Sequence, residues 1–92
     1  MAISYDPAKD KKNQEKHDIS LARAEDLKIV AVIEDTRKNY GEPRFRAFGF
    51  IDGAAYCLAF TERSGDVRTI SLRRARNKEM KRHAAQDRKA SR

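Results

Sequence analysis

Three strand-like runs lie between Arg44 and Arg73, separated by Asp52-Gly53 and Ser64-Gly65. Both dipeptides suit two-residue turns whose central residues take a positive φ, and this is the strongest short-range signal for antiparallel hairpins. The sequence therefore predicts strands over Arg44 to Ile51, Ala54 to Arg63 and Val67 to Arg73. Two-residue turns also set the register, because opposite residues share a face. One face is expected to carry Phe48, Phe50, Ala55, Cys57, Ala59, Ile70 and Leu72, with Arg44, Arg46, Thr61 and Arg68 at one end. The other is expected to carry Phe45, Ala47, Gly49, Ile51, Tyr56, Leu58, Phe60, Val67, Thr69, Ser71 and Arg73, with Glu62 near the second turn. Both faces are apolar in the middle, so each needs cover, or one needs cover and the other presents a groove to a partner or substrate.

The flanking segments supply the cover. Ala2 to Tyr5 reads as a short strand, and Asp6 followed by Pro7 as a helix start, with aspartate at the N-cap and proline where a missing N–H costs nothing. The helix to about Lys16 is almost entirely polar, so Ala8 and the lysine stems are expected to make most of its contacts. Ser20 can cap a second helix to about Leu27 that places Leu21, Ala24 and Leu27 on one face. Lys28 to Ile33 is β-branched and is read as a strand in preference to a continuation of that helix, and Glu34 to Pro43 as the most mobile loop. A last helix is predicted from Lys78 to Lys89, capped by Asn77, with Met80, Ala84 and Ala85 as its apolar handholds. The whole is one α/β (α+β) domain over residues 1–92: a small antiparallel sheet of three to four strands, two N-terminal helices and a basic C-terminal helix.

Charge is unevenly spread. Up to Leu72 twelve Lys/Arg face twelve Asp/Glu, whereas the last twenty residues hold nine basic groups against Glu79 and Asp87, which accounts for the net charge of +7. A neutral body with a cationic arm points to nucleic acid, or to an acidic protein that masks the same surface. The arm also has a plain reading, as a solvated helix that aids solubility. Cys57 is the only cysteine and His17 and His83 are far apart, so no metal-ligand motif or disulfide framework is present. Without an apolar run of about 20 residues or a secretory leader, the chain is expected to be soluble and cytoplasmic, with no membrane association.

Two blocks carry a family resemblance. The first is Tyr5-Asp6-Pro7-Ala8-Lys9 with Asn13 and Lys16-His17-Asp18-Ile19-Ser20. The second is Thr61-Glu62-Arg63 with Arg68-Thr69-Ile70-Ser71-Leu72-Arg73-Arg74-Ala75 and Glu79. With Arg44-Phe45 and the Gly49-Phe50-Ile51-Asp52-Gly53 hairpin between them, the order and spacing resemble the BrnT toxins of bacterial type II toxin–antitoxin systems. Asp18 stands where that family usually has glycine, so the turn after the first helix either avoids a positive φ or places an aspartate there. His83 replaces a common aromatic, and Arg76 a small hydroxyl residue. The resemblance implies a RelE-like ribonuclease fold that cuts RNA without a cofactor or metal ion and inhibits translation. It further implies neutralisation by a BrnA-type ribbon-helix-helix antitoxin through which the pair reaches operator DNA. The expected assembly is a dimer bridging two antitoxins, with an isolated chain either a monomer or a loose homodimer.

Metal-free RNA cleavage needs the 2′-hydroxyl deprotonated, the phosphorane charge stabilised and the 5′-oxygen protonated. Arg63, Arg68 and Arg73 are candidates for the phosphorane, since a guanidinium fork holds two phosphate oxygens. In the simple register Arg68 and Arg73 point to opposite faces, so they share one site only if a bulge or the strand end re-aims one of them. Glu62 is a candidate base, Ser71 a phosphate-binding hydroxyl, and His17 the group whose pKa best suits proton transfer near neutrality. Each has a structural alternative: exposed or paired strand arginines, a solvated glutamate, an ordinary strand serine, and an imidazole on a helix C-terminal dipole. Lys9, Asn13 and Lys16 share a helix face that can line an RNA groove, to which Lys78, Lys81 and Arg82 of the last helix would add charge. The alternative class is a non-enzymatic nucleic-acid-binding or regulatory module using the same basic surface.

Overall fold

The computed structural model describes residues 3–82. Five strands form a single sheet in the order β1-β5-β4-β3-β2: β1 (Ile3–Ser4), β2 (Lys28–Glu34), β3 (Phe45–Ile51), β4 (Ala54–Arg63) and β5 (Asp66–Arg74). The predicted count of three to four is thus too low. All neighbours are antiparallel except β1, which runs parallel to β5 through Ile3 and Ser4. Both hairpin turns hold two residues, with positive φ at Asp52 and Gly53 and again at Ser64 and Gly65. The register of β3 on β4 follows directly, Ile51 facing Ala54 and Phe45 facing Phe60.

The β4–β5 pairing starts in the predicted register and then departs from it. Arg63 faces Asp66 and Phe60 faces Thr69, but Ala59 faces Ser71, which leaves Ile70 as an extra residue in β5. This bulge reverses the faces of everything beyond it. Leu72 moves into the core beside Leu58, where it is fully buried, and Ser71 and Arg73 move to the face that carries Arg68. The prediction that Leu72 shares a face with Cys57, and Arg73 one with Tyr56, is corrected accordingly.

One face is the principal core. Ala47, Ile51, Leu58, Phe60, Val67 and Leu72 meet Ile19, Leu21, Ala24 and Leu27 from the segment that crosses them. Each large side chain buried there contributes about 1.5–3 kcal/mol. Leu21–Asp26 forms a 3₁₀ helix instead of the predicted α-helix, a geometry common in runs this short. Its start is held from two sides: Ser20 Oγ accepts from Ala22 N at 3.1 Å, and Asp10 accepts from Leu21 N at 2.7 Å.

Helix α1 (Pro7–His17) begins as expected, with Asp6 accepting from Ala8 N at 2.8 Å. Its anchorage differs from expectation. Ala8 is exposed, and Asn13 is the buried residue of the helix. The Asn13 amide donates to Leu72 O and Ile19 O, both at 2.9 Å, and accepts from Leu72 N at 3.1 Å. A side chain thereby does what the backbone of a neighbouring strand does, along the part of β5 that β1 is too short to reach. Asp18 ends the helix in the left-handed region at φ 58°, so the position is an aspartate that adopts the glycine-like conformation.

Among the described residues the other face is covered only at its ends. At one end Met80, from the helical turn at residues 77–82, packs on Ala31, Phe48, Ala55 and Cys57. The predicted helix to Lys89 extends past the described residues, as do His83, Ala84 and Ala85. At the other end lies the segment read as a mobile loop. It is clasped: buried Asp35 accepts from Arg37 Nε and Nη2, both at 2.9 Å, and from Tyr40 Oη at 3.1 Å. Arg44 stacks over the Tyr40 ring at 4.2 Å, and Thr61 Oγ1 donates to Pro43 O. No helix among the described residues is long and apolar enough to cross a membrane.

Candidate functional site

Between these two covers the sheet presents a window. Its middle row, read across the strands, is Arg46 on β3, Ala59 on β4 and Ser71 on β5. Arg68 stands in the next row toward the clasped loop, opposite Thr61, and Arg73 in the next row toward Met80, opposite Cys57. The bulge at Ile70 is what brings Arg68, Ser71 and Arg73 to one face, the condition set by the sequence for these arginines to act together.

The two arginines differ in freedom. Arg73 is bidentate with Glu79, its Nη1 and Nη2 lying 3.0 and 2.9 Å from the two carboxylate oxygens. That pair raises the Arg73 pKa, so the group is a fixed cation, though a half-neutralised one. Glu79 also accepts from Arg76 N at 3.2 Å, which ties the helical turn at 77–82 to the same guanidinium. Arg68 is half-buried and makes no ion pair among the described residues.

The β5 border of the window continues into α1. Lys9, Lys12, Lys16 and His17 line a recess of about 310 Å³ together with Ile70 and Ser71. Lys12 was not singled out in the sequence, although it lies one turn from both Lys9 and Lys16. His17 has its pKa lowered, first by burial and then by the Lys16 and Arg73 cations. The shift favours the neutral imidazole, the form able to accept a proton, and His17 stands in the last turn of α1.

Other expected site residues fall elsewhere. Asn13 borders the recess, but its amide is committed to the sheet edge and is withdrawn from RNA contact. Glu62 sits on the core face, opposite Val67, at the rim of an apolar hollow with Ile3, Leu27, Val32, Leu58 and Phe60. The sheet separates it from Arg68, Ser71 and Arg73. Arg63 shares the window's face but reaches outward to Glu42 at 3.0 Å. Lys78, Lys81 and Arg82 are exposed on the helical turn beyond Met80. Tyr56 is on the core face beneath Arg74, 5.5 Å from its ring, and does not face the window.

Two further groups belong to this face. Cys57 is a buried free thiol whose pKa burial pushes up, leaving it uncharged. In sequence an arginine inside an apolar strand reads as an edge or surface position; its neighbours across the sheet, Ala59 and then Ser71, place Arg46 in the middle row. Among the described residues no three His, Cys, Asp or Glu side chains converge in a way that would hold a metal ion.

Comparison with known proteins agrees with this architecture. In fold the chain is similar to the Brucella abortus ribonuclease toxin BrnT, with a TM-score of 0.64 and 23% identity over 84% of this chain and 99% of that one. No curated protein matches the sequence. The model of the ribonuclease toxin BrnT of type II toxin–antitoxin systems matches residues 5–79, and the chain belongs to that family.

Proposed function

We propose that this protein is a RelE-like, metal-independent endoribonuclease that acts in the cytoplasm and inhibits translation by cutting RNA. The observation that carries the reading is the β5 bulge, which sets Arg68, Ser71 and Arg73 on one face, with His17 in the recess that Ser71 borders. RNA lies along the cationic border of α1, with Lys9, Lys12 and Lys16 as phosphate contacts, and continues toward Lys78, Lys81 and Arg82. His17 takes the 2′-hydroxyl proton. The 2′-oxygen attacks phosphorus, and the 5′-oxygen leaves with a proton from solvent, giving a 2′,3′-cyclic phosphate and a 5′-hydroxyl. Arg68 binds the phosphorane oxygens, whereas Arg73, already held by Glu79, supplies a fixed positive field. A BrnA-type ribbon-helix-helix antitoxin neutralises the enzyme by covering this face and links the complex to operator DNA.

The Arg73–Glu79 pair favours a second reading, a nucleic-acid-binding module without catalysis, because it occupies one of the two arginines. Incubation with total cellular RNA in excess EDTA separates the two. The first reading expects cleavage by the wild type that a folded Arg68→Ala variant lacks. RNA binding without cleavage by either, in antitoxin-free protein, establishes the second.

A further inference from the structure

Arg46 occupies the centre of the window and makes no ion pair among the described residues. Its Nε is buried and makes no hydrogen bond, and the ring contact of its guanidinium is with Phe48, at 5.8 Å. A half-buried arginine in a strand ordinarily extends its head to solvent or pairs with a carboxylate, because an unpaired buried donor costs about 1–3 kcal/mol. Among the described residues, Asp35 near this face pairs with Arg37, Glu42 with Arg63 and Glu79 with Arg73, while Asp66 stands two rows away from Arg46 at the turn end of β5, opposite Arg63. Across from Arg46 stands Ala59, whose methyl group leaves the middle of the row shallow, and beyond it the Ser71 hydroxyl. A cation and a hydroxyl thus flank a small floor.

We infer that Arg46 and Ser71 bind a backbone phosphate of the RNA over Ala59, with Arg46 as a substrate-affinity residue that takes no part in the chemical step. The inference rests on the reading that RNA crosses this face. A phosphate so placed accepts from the guanidinium head and from the hydroxyl. Because the phosphate is held alike in the ground state and the transition state, its loss raises KM and leaves kcat in place.

The test uses Arg46→Met, which keeps an apolar stem over Phe48, and Arg46→Lys, which keeps the charge. Circular dichroism and thermal unfolding check the fold of each. Binding is read by anisotropy of a labelled 2′-O-methyl oligoribonucleotide, which cannot be cut, over a series of chloride concentrations. Cleavage of the unmodified oligonucleotide is read in parallel. Arg46→Met is expected to raise Kd and KM about tenfold with kcat within about twofold, and to reduce the salt slope by about 0.7. Arg46→Lys recovers part of the affinity, and it alone decides the matter if Arg46→Met does not fold: affinity equal to that of the wild type then counts against the guanidinium as the phosphate's donor and overturns the assignment. Unchanged Kd and slope in folded Arg46→Met also overturn it. A wild type that binds the oligonucleotide but cuts no RNA defeats the ribonuclease reading, while the effect of Arg46→Met on Kd still decides the phosphate site. A wild type that does not bind the oligonucleotide overturns both.

Discussion

Replacing Asn13 by alanine is expected to destabilise the protein by about 3 kcal/mol. The wild-type amide makes three hydrogen bonds of 2.9–3.1 Å, two of them to the N–H and C=O of a single residue, Leu72, and the third to Ile19 O. Alanine removes all three and leaves a strand N–H and two carbonyls facing a methyl group at a site only 5% exposed. Each unsatisfied group costs about 1–3 kcal/mol; water entering from the surface brings the figure toward the lower limit, hence about 1 kcal/mol for each of three groups. In a domain of this size the loss shifts the unfolding midpoint by roughly 12–24 °C. Urea unfolding followed by circular dichroism measures it. Asn13→Asp sharpens the test, because a carboxylate placed against two carbonyls keeps the acceptor and loses both donors, and it is expected to fall below alanine at pH 7. A loss under about 0.5 kcal/mol in Asn13→Ala refutes the view that this side chain completes the sheet edge.

Gly49→Ala is expected to destabilise by about 3 kcal/mol in thermal unfolding, since a Cβ there would lie 2.2 Å from Lys28 O, and backbone cannot swing aside as a side chain can. Asp35 is held far below the ordinary carboxylate range, chiefly by its Arg37 hydrogen bonds. Its contribution, on the order of 1 kcal/mol because Arg37 is mostly solvent-exposed, is present in full above the unfolded-state value of about 4 and decays as pH falls toward the native one. Asp35→Asn is therefore expected to lose this acid-dependent part in a pH series of unfolding midpoints. Cleavage by the wild type is expected to keep its rate on acidification to below pH ~6.5, because the His17 pKa is lowered. His17→Gln then loses activity at least about 100-fold, while Glu62→Gln, on the opposite face, changes kcat less than about twofold.

The hairpins were legible because their turns are local: Asp52-Gly53 and Ser64-Gly65 carry the positive φ values that dictate two-residue connections. The bulge was not. In Thr69-Ile70-Ser71-Leu72 an unbroken alternation places two large apolar residues on one face, and only packing decides that Leu72 fills the core while Ile70 is left over. That single extra residue is also what gathers the candidate site, so the sequence named Arg68, Ser71 and Arg73 without being able to unite them. Asn13 shows the opposite difficulty. Its place on a lysine-rich helix face suggested contact with RNA, and its real partner, Leu72, lies 59 residues away in the chain. A side chain acting as backbone leaves no trace in local pattern. For Asp18 the sequence posed a choice that the φ of 58° resolves.

The borders of the sheet bear on how the protein behaves when crowded. An open strand edge is a template on which further copies add, one after another. On the β5 side β1 pairs only two residues, and the Asn13 amide takes up groups beyond them that a sixth strand would need. On the β2 side, where Ile29 and Val30 remain 53% and 48% exposed, the ladder is broken between Ile29 and Ala31, and the edge turns out of the straight line that stacking requires. Growth of the sheet by added strands is thus opposed by an amide at one margin and by an irregular strand at the other.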